Sequence, residues 1–311
     1  MSAATLRALA PLARRQFGVF TTSQAATVGV QAWTLTKMVR RGDAVRLFHG
    51  VYALTVYPDR WELRWLAALL AVGDRAAISH RAAGHLHGLQ HTRTRERPEL
   101  ELTVPRSVAD PIVDGLRVHT QVGITPDDVV EVGVWRVTSV AWTLATLAHS
   151  LGFTRTERAL GAAVANDRTT VDDLARATVR RRWCPGAPVM RAALRRLTPG
   201  TRMTRSEAER LFLRLCVGAG LPAPEVNLRV GDDAGRTRYL DAAWPAFRVC
   251  VEIDVHPDHS GSIGRSHDGR RQNDLVSRWT VLRFDEFDLV YDPTYVVDRL
   301  RATLRRAGAA V

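Results

Sequence analysis

Three carboxylates gather in the C-terminal third of the chain: Asp241, then Glu252 and Asp254 on either side of Ile253. The runs Arg238–Ala243 and Phe247–Asp254 read as strands, because apolar and β-branched residues dominate them and Pro245 interrupts them. A four-residue turn over Pro245–Arg248 sets Trp244 opposite Val249, and Asp241 opposite Glu252. Directly opposed side chains have Cβ atoms about 4.5–5.5 Å apart, near enough for two carboxylates to share one ion. Asp254 falls on the Glu252 face, since that face repeats every second residue, while Val249, Val251 and Ile253 point to the apolar side. Such a trio repels itself unless a cation neutralises it or one member takes up a proton. Oxygen-only ligation suits Mg²⁺ or Mn²⁺. A hydrated Mg²⁺ can activate water and stabilise charge on a scissile phosphate. Plainer readings stay open: Asp241 as an exposed strand polar, Asp254 as a turn former, or a one-residue slip of register that separates the pair.

Helices and strands must hold these groups in place. Ser206-Glu207-Ala208-Glu209 fits a capping box, and the helix it opens runs through Leu211, Phe212, Leu215 and Cys216 to Gly220. Glu209 therefore has a capping role available to it. Strand-like runs follow at Val226–Val230, Arg238–Ala243, Phe247–Asp254 and Trp279–Phe284, with helices at about 265–277 and 293–306. Helix, meandering sheet, helix, strand, helix make an α/β sandwich.

The N-terminal segment has a different order. Residues 5–55 read as three helices and a short hairpin, with Thr22 or Ser23 capping the second helix and Ala44–Phe48 and Gly50–Leu54 as the strands. That is the order of a winged helix. On that reading Gln31, Thr34, Thr36, Lys37, Arg40 and Arg41 lie on or near the helix that enters a major groove of double-stranded DNA. A small helical domain with a solvated basic face is the alternative. Residues 58–183 are mixed α/β, with helices at Trp61–Val72, after Ser79, at Ser139–His149 and at Arg155–Ala165. Strands are expected at Leu100–Val104, Gly115–His119 and Val134–Val137. His80, His85, His87 and His91 invite a zinc reading. Only His87 and His91 share an i, i+4 spacing, so helix packing and surface polarity are the preferred explanation. Arg180 to Gly186 reads as a basic, solvated hinge.

The net charge of +12 is unevenly spread: +8 over residues 1–100, +3 over 101–200 and +1 over 201–311. A phosphate-binding surface is therefore to be sought in the N-terminal third. The skew of 43 arginines to the single Lys37 also fits a GC-rich coding bias. Three well-separated cysteines, Cys184, Cys216 and Cys250, suit buried free thiols better than a disulfide framework. No apolar run reaches membrane-spanning length and no signal core opens the chain, which points to a cytosolic protein with no membrane partner.

Two resemblances attach to these residues. Asp241, ten intervening residues and Glu252-Ile253-Asp254, with Ser206–Glu209, Arg270-Arg271-Gln272-Asn273-Asp274 and Trp279–Phe284, resemble the PD-(D/E)XK restriction-endonuclease-like fold, more closely its Vsr-like repair branch. The likeness covers about the last hundred residues. It implies Asp241, Glu252 and Glu209 as ligands of Mg²⁺ or Mn²⁺, with Asp254 standing where the wider superfamily has lysine and Val255 where relatives have glycine. His256 and His259, just past the strand, are candidate general bases or phosphate ligands, or polar loop residues. Arg270, Arg271 and Asn273 are candidate phosphate contacts, or a solvated helix face. The segment Gly18-Val19-Phe20-Thr21…Gly42-Asp43…Gly50-Val51-Tyr52 resembles the winged-helix domain of AbiEi-type antitoxins.

The expected architecture is an α+β multidomain chain: a winged helix over 1–57, a mixed α/β domain over 58–185 and an endonuclease-like α/β sandwich over 200–311. The function expected first is Mg²⁺-dependent phosphodiester hydrolysis on DNA, in defence or repair. In that reaction Asp241, Glu252, Asp254 and His256 serve catalysis, and Arg270 or Arg271 steadies charge. The alternative is an antitoxin-like transcriptional regulator with an inactive nuclease fold and a cognate toxin. A purely structural interaction module leaves the acidic hairpin unexplained.

Overall fold

The computed structural model describes residues 3–92, 98–107, 116–197, 203–231, 237–255 and 279–311. It divides the chain into two compact units, Met1–Leu197 and Thr198–Val311. The described residues are mixed α+β and hold three sheets.

The first unit opens with α1 (Ala3–Arg15), β1 (Val19–Thr21), α2 (Thr22–Thr27), α3 (Ala32–Arg40), β2 (Ala44–Phe48) and β3 (Val51–Leu54). β3 lies between β1 and β2, antiparallel to both. The expected order of helices and hairpin is present. The cap of α2 needs correcting: Thr21, not Thr22 or Ser23, accepts from the Gln24 amide at 3.1 Å, and the Gln24 side chain answers the Thr21 amide at 2.9 Å. Thr21 also ends β1, a strand too short to show periodicity. Leu9, Ala13, Phe20, Ala25, Leu35, Met38 and Leu54 close the core beneath α3. Gly18 is required by its place: φ is +89°, and a Cβ there would sit 2.6 Å from the Tyr57 ring.

The unit continues with α4 (Trp61–Val72), β4 (Ala77–Ile78), α5 (His80–Leu86), β5 (Glu101–Pro105), β6 (Arg117–Gln121), β7 (Val129–Val132), β8 (Trp135–Thr138), α6 (Val140–Ala165), α7 (Val171–Arg180) and α8 (Ala187–Leu197). The sheet order is β6-β5-β4-β8-β7, with β5/β6 and β4/β8 parallel and the other pairs antiparallel. The helices expected at Ser139–His149 and Arg155–Ala165 are continuous but broken at Gly152, whose φ of 71° no other residue type adopts cheaply.

The start of the basic junction is not a solvated hinge. Arg180 is the last residue of α7 and pairs with buried Asp128. The Arg181 guanidinium donates to Gln121 Oε1 at 2.6 Å, and both arginines lie against the Trp142 ring. Burial pulls the Arg181 pKa below its ordinary value. The partners of these arginines are 52 and 60 residues away, so nothing local betrays them.

The second unit holds α9 (Arg205–Gly218), β9 (Glu225–Gly231), β10 (Thr237–Trp244), β11 (Val249–Asp254), β12 (Thr280–Asp285), α10 (Glu286–Tyr291) and α11 (Pro293–Arg306). The sheet runs β12-β11-β10-β9: an antiparallel meander β9-β10-β11 with β12 added parallel to β11. Phe212 and Cys216 of α9 and Val296, Leu300 and Leu304 of α11 share one core with Val249, Val251 and Ile253. The capping box lies two residues earlier than expected. Thr204 caps α9, accepting from the Glu207 amide at 3.3 Å while the Glu207 carboxylate accepts from the Thr204 amide at 2.6 Å. Both Thr204–Glu207 and Ser206–Glu209 fit the pattern, and the earlier one gives the longer helix. Glu209 is thereby released from any capping role.

Candidate nucleic-acid interface and acidic centre

Helix α3 turns Leu35 and Met38 into the core, so the opposite face is left to solvent. Gln31 caps the helix without a capping hydrogen bond from its side chain. Gln31, Lys37 and Arg40 are exposed, as is Arg41 just past the C-terminus, and Thr34 is half-buried. Lys37 and Arg40 lie on α3, with Gln31 and Arg41 at its two caps. The structure also adds residues the sequence reading passed over. Trp33 is 62% exposed on that face, and Lys37 Nζ stands 4.5 Å above its ring. The i, i+4 spacing of Trp33 and Lys37 was a usable signal. On the β2–β3 hairpin, Arg46 reaches His49 Nδ1 at 2.8 Å and the Phe48 carbonyl at 3.3 Å, which fixes a second exposed cation at the tip. A helix whose exposed face carries amide, hydroxyl, aromatic and cationic groups, beside a hairpin with its own arginine, can bind phosphate and reach base edges.

The acidic centre is assembled differently from a simple carboxylate pair. The strand register is the one a four-residue turn implies, with Trp244 opposite Val249, Ala243 opposite Cys250 and Ala242 opposite Val251. Asp241, only 5% exposed, sends one carboxylate oxygen to the Ile253 amide at 2.8 Å. Its other oxygen pairs with the Arg205 guanidinium from the first turn of α9. Arg205 Nε also meets Glu209 Oε1 at 3.2 Å, so one arginine joins Asp241 and Glu209. Donating a hydrogen bond to the Asp241 carboxylate holds the Arg205 pKa above its ordinary value. Glu252 is held apart by Arg283, its register partner on β12, at 2.8 Å. Asp254 is exposed at the end of β11 opposite Asp285. Val255 belongs to the apolar core, which accounts for a side chain there in place of glycine. Burial, with Glu252 and Asp241 nearby, pushes the Cys250 thiol up to about 12. His256, His259, Arg270, Arg271, Asn273 and the helix expected at 265–277 lie outside the described residues.

Asp241 and Glu209 share the guanidinium of Arg205, and Glu252 pairs with Arg283, so a divalent ion at these carboxylates would have to displace arginine. Among the described residues, the group of three whose ligand atoms converge within 4.8 Å is instead His80, Glu101 and His119. Of the four histidines singled out by sequence, His85 packs edge-on against Trp61 and Trp65, and His87 is buried with Nε2 2.7 Å from the Thr138 carbonyl. His91 is exposed. Only His80 joins that converging group.

Residues 7–55 match the family described as "Transcriptional regulator, AbiEi antitoxin". Over 286 residues, 89% of this chain and 98% of theirs, the chain is 28% identical to two uncharacterised proteins of Mycobacterium tuberculosis, MT2308 of strain CDC 1551 / Oshkosh and Rv2248 of strain H37Rv. The solved structure of the Rv2827c protein from the same species is similar at 16% identity and a TM-score of 0.36, covering 62% of this chain and 81% of that one. The likeness to AbiEi antitoxin regulators is that of residues 7–55 in the N-terminal segment. None of the described helices is long and apolar enough to cross a membrane.

Proposed function

We propose that the chain is a DNA-binding transcriptional regulator of the antitoxin type, acting in the cytosol on double-stranded DNA and opposing a cognate toxin. The observation that carries this reading is the exposed face of α3, with Trp33, Lys37, Arg40 and Arg41 arrayed around a buried Leu35–Met38 seam, inside the segment that matches the AbiEi family. As a winged helix, α3 enters the major groove and the β2–β3 hairpin lays Arg46 along the adjacent backbone. Lys37, Arg40 and Arg41 then neutralise phosphates, while Gln31 and Thr34 read base edges. Selection of duplexes from a random library by the full chain tests it. A defined motif is expected, relaxed at single base pairs by Gln31→Ala or Thr34→Ala. Selection of no motif, or the same motif from both variants, overturns the placement of α3.

A second reading, Mg²⁺-dependent phosphodiester hydrolysis at Asp241, Glu252 and Asp254 with His256, Arg270 and Arg271 in support, draws on the antiparallel meander with a parallel fourth strand behind α9. It requires Arg205 to yield its place to the ion. Nicking of supercoiled plasmid in Mg²⁺ by wild type, abolished by Asp241→Ala, would carry it. No nicking, or equal nicking by both proteins, removes it.

A further inference from the structure

His80, Glu101 and His119 come from three different elements of the first unit, the start of α5 and the strands β5 and β6. In the parallel β5/β6 pair, Glu101 is level with Arg117 and Thr103 with His119, so Glu101 and His119 are diagonal neighbours on one face. His119 Nε2 and Glu101 Oε1 are 3.2 Å apart. Two ligands of one tetrahedral Zn²⁺, each about 2.0–2.1 Å from the ion, are separated by about 3.3 Å. The two imidazole rings lie against each other, with the His80 and His119 centroids 4.1 Å apart.

Ser79 Oγ is within hydrogen-bond distance of two groups, the Glu101 carbonyl at 3.3 Å and His80 Nδ1 at 2.9 Å, while the Ser79 amide donates to the same carbonyl at 2.9 Å. In the tautomer with the proton on Nδ1, the His80 ring donates to Ser79 Oγ and Nε2 keeps its lone pair. This is the pattern by which a metal-binding histidine is oriented, one nitrogen donating to a supporting group and the other facing the ion.

The Arg81 amide is 3.4 Å from one Glu101 carboxylate oxygen, and Arg117 is 3.8 Å from the other. The Arg117 side chain is 65% exposed and free to move into solvent when a cation arrives.

We propose that His80, Glu101 and His119 form a Zn²⁺-binding site with a fourth position open to water or an incoming ligand. On binding, the His119 ring carries its proton on Nδ1 instead of Nε2, exchanged through solvent, so the ring stays neutral and the His119–Glu101 hydrogen bond gives way to two coordinate bonds. Two neutral imidazoles and one carboxylate suit Zn²⁺ or Co²⁺ better than Mg²⁺ or Ca²⁺. Because β6 is the edge of its five-stranded sheet, the ion fastens that edge strand to β5 and to the start of α5. Binding to the folded protein alone then raises the melting temperature.

The test is a titration of the full chain with Co²⁺, followed by its visible absorption bands and by displacement with Zn²⁺. One equivalent is expected to bind with the bands of a tetrahedral nitrogen–oxygen site, and Zn²⁺ is expected to raise the melting temperature. His119→Ala and Glu101→Gln, at partly exposed strand positions and checked for folding by circular dichroism, should each weaken binding more than a hundredfold. Ser79→Ala, which loses the supporting hydroxyl, should weaken it about 10–100-fold. His91→Ala should bind as wild type. Absence of stoichiometric binding by wild type overturns the proposal. So does unchanged binding in folded His119→Ala or Glu101→Gln, or a thiolate band lost on Cys184→Ala.

Discussion

Removing Arg205 asks what that arginine does in the acidic centre. It is the common partner of Asp241 and Glu209, and Asp241 is 5% exposed while the arginine side chain is 65% exposed. Breaking a fully buried pair from one side costs about 3–5 kcal/mol. Solvent reaches most of this guanidinium, and the Ile253 amide still binds one Asp241 oxygen at 2.8 Å. After that discount, Arg205→Ala should destabilise the second unit by about 1–2 kcal/mol. Asp241→Ala loses the same pair and also orphans the buried Ile253 N–H, which adds about 1–3 kcal/mol. The double variant should show a coupling of about 1 kcal/mol between the two positions. Urea denaturation of the four proteins in low salt measures this. Millimolar Mg²⁺ should partly restore Arg205→Ala, whose Asp241 and Glu209 lack their common cation, and leave wild type unchanged. Refutation would be a stability for Arg205→Ala equal to wild type, or single-variant effects that simply add.

Other consequences follow from single contacts. Thr204→Ala should cost about 1 kcal/mol and Ser206→Ala far less, which denaturant midpoints will show; the reverse order would restore the later capping box. Gly18→Ala should cost about 2 kcal/mol or more, because the left-handed backbone penalty adds to a Cβ placed against the Tyr57 ring, and thermal melting checks it. Cys216 and Cys250 are both pushed up to about 12 by burial, so a thiol reagent at pH 8 should label half-exposed Cys184 and spare the other two. The sign of the linked stability is fixed by the same shift. The folded thiols keep protons that the unfolded chain releases, so their stabilisation is complete below pH 9 and declines as pH rises from 9 towards 12. Unfolding measured in alkaline buffers should show this decline, and it should be reduced in Cys250→Ala.

The parts of the fold that were legible in the sequence are those written in local pattern. Trp61–Val72 is a helix with the bounds its apolar run implies, and the turn at Pro245–Arg248 sets the strand register it predicts. Pattern fails where an element is very short or its stabilisation comes from afar. β1 and β4 have three and two residues, too few for any period to show. Arg180 and Arg181 look like a solvated basic run until Asp128, Gln121 and Trp142 close over them from distant elements. The acidic hairpin was legible as a register but not as a charge balance, because Arg205 and Arg283 reach it from a helix and from a parallel strand. His80, Glu101 and His119 carry no spacing signal at all: they meet only because β6 pairs with β5 and α5 starts beside them.

The regulator reading rests most directly on phosphate contact by α3, and the salt dependence of DNA affinity measures that contact. For wild type, the logarithm of affinity should fall linearly with the logarithm of salt concentration, by about 0.9 for each phosphate neutralised. Arg40→Ala combined with Arg41→Ala should bind more weakly and lower that slope by about 2. An affinity and a slope unchanged in the double variant would contradict the placement of α3 on DNA.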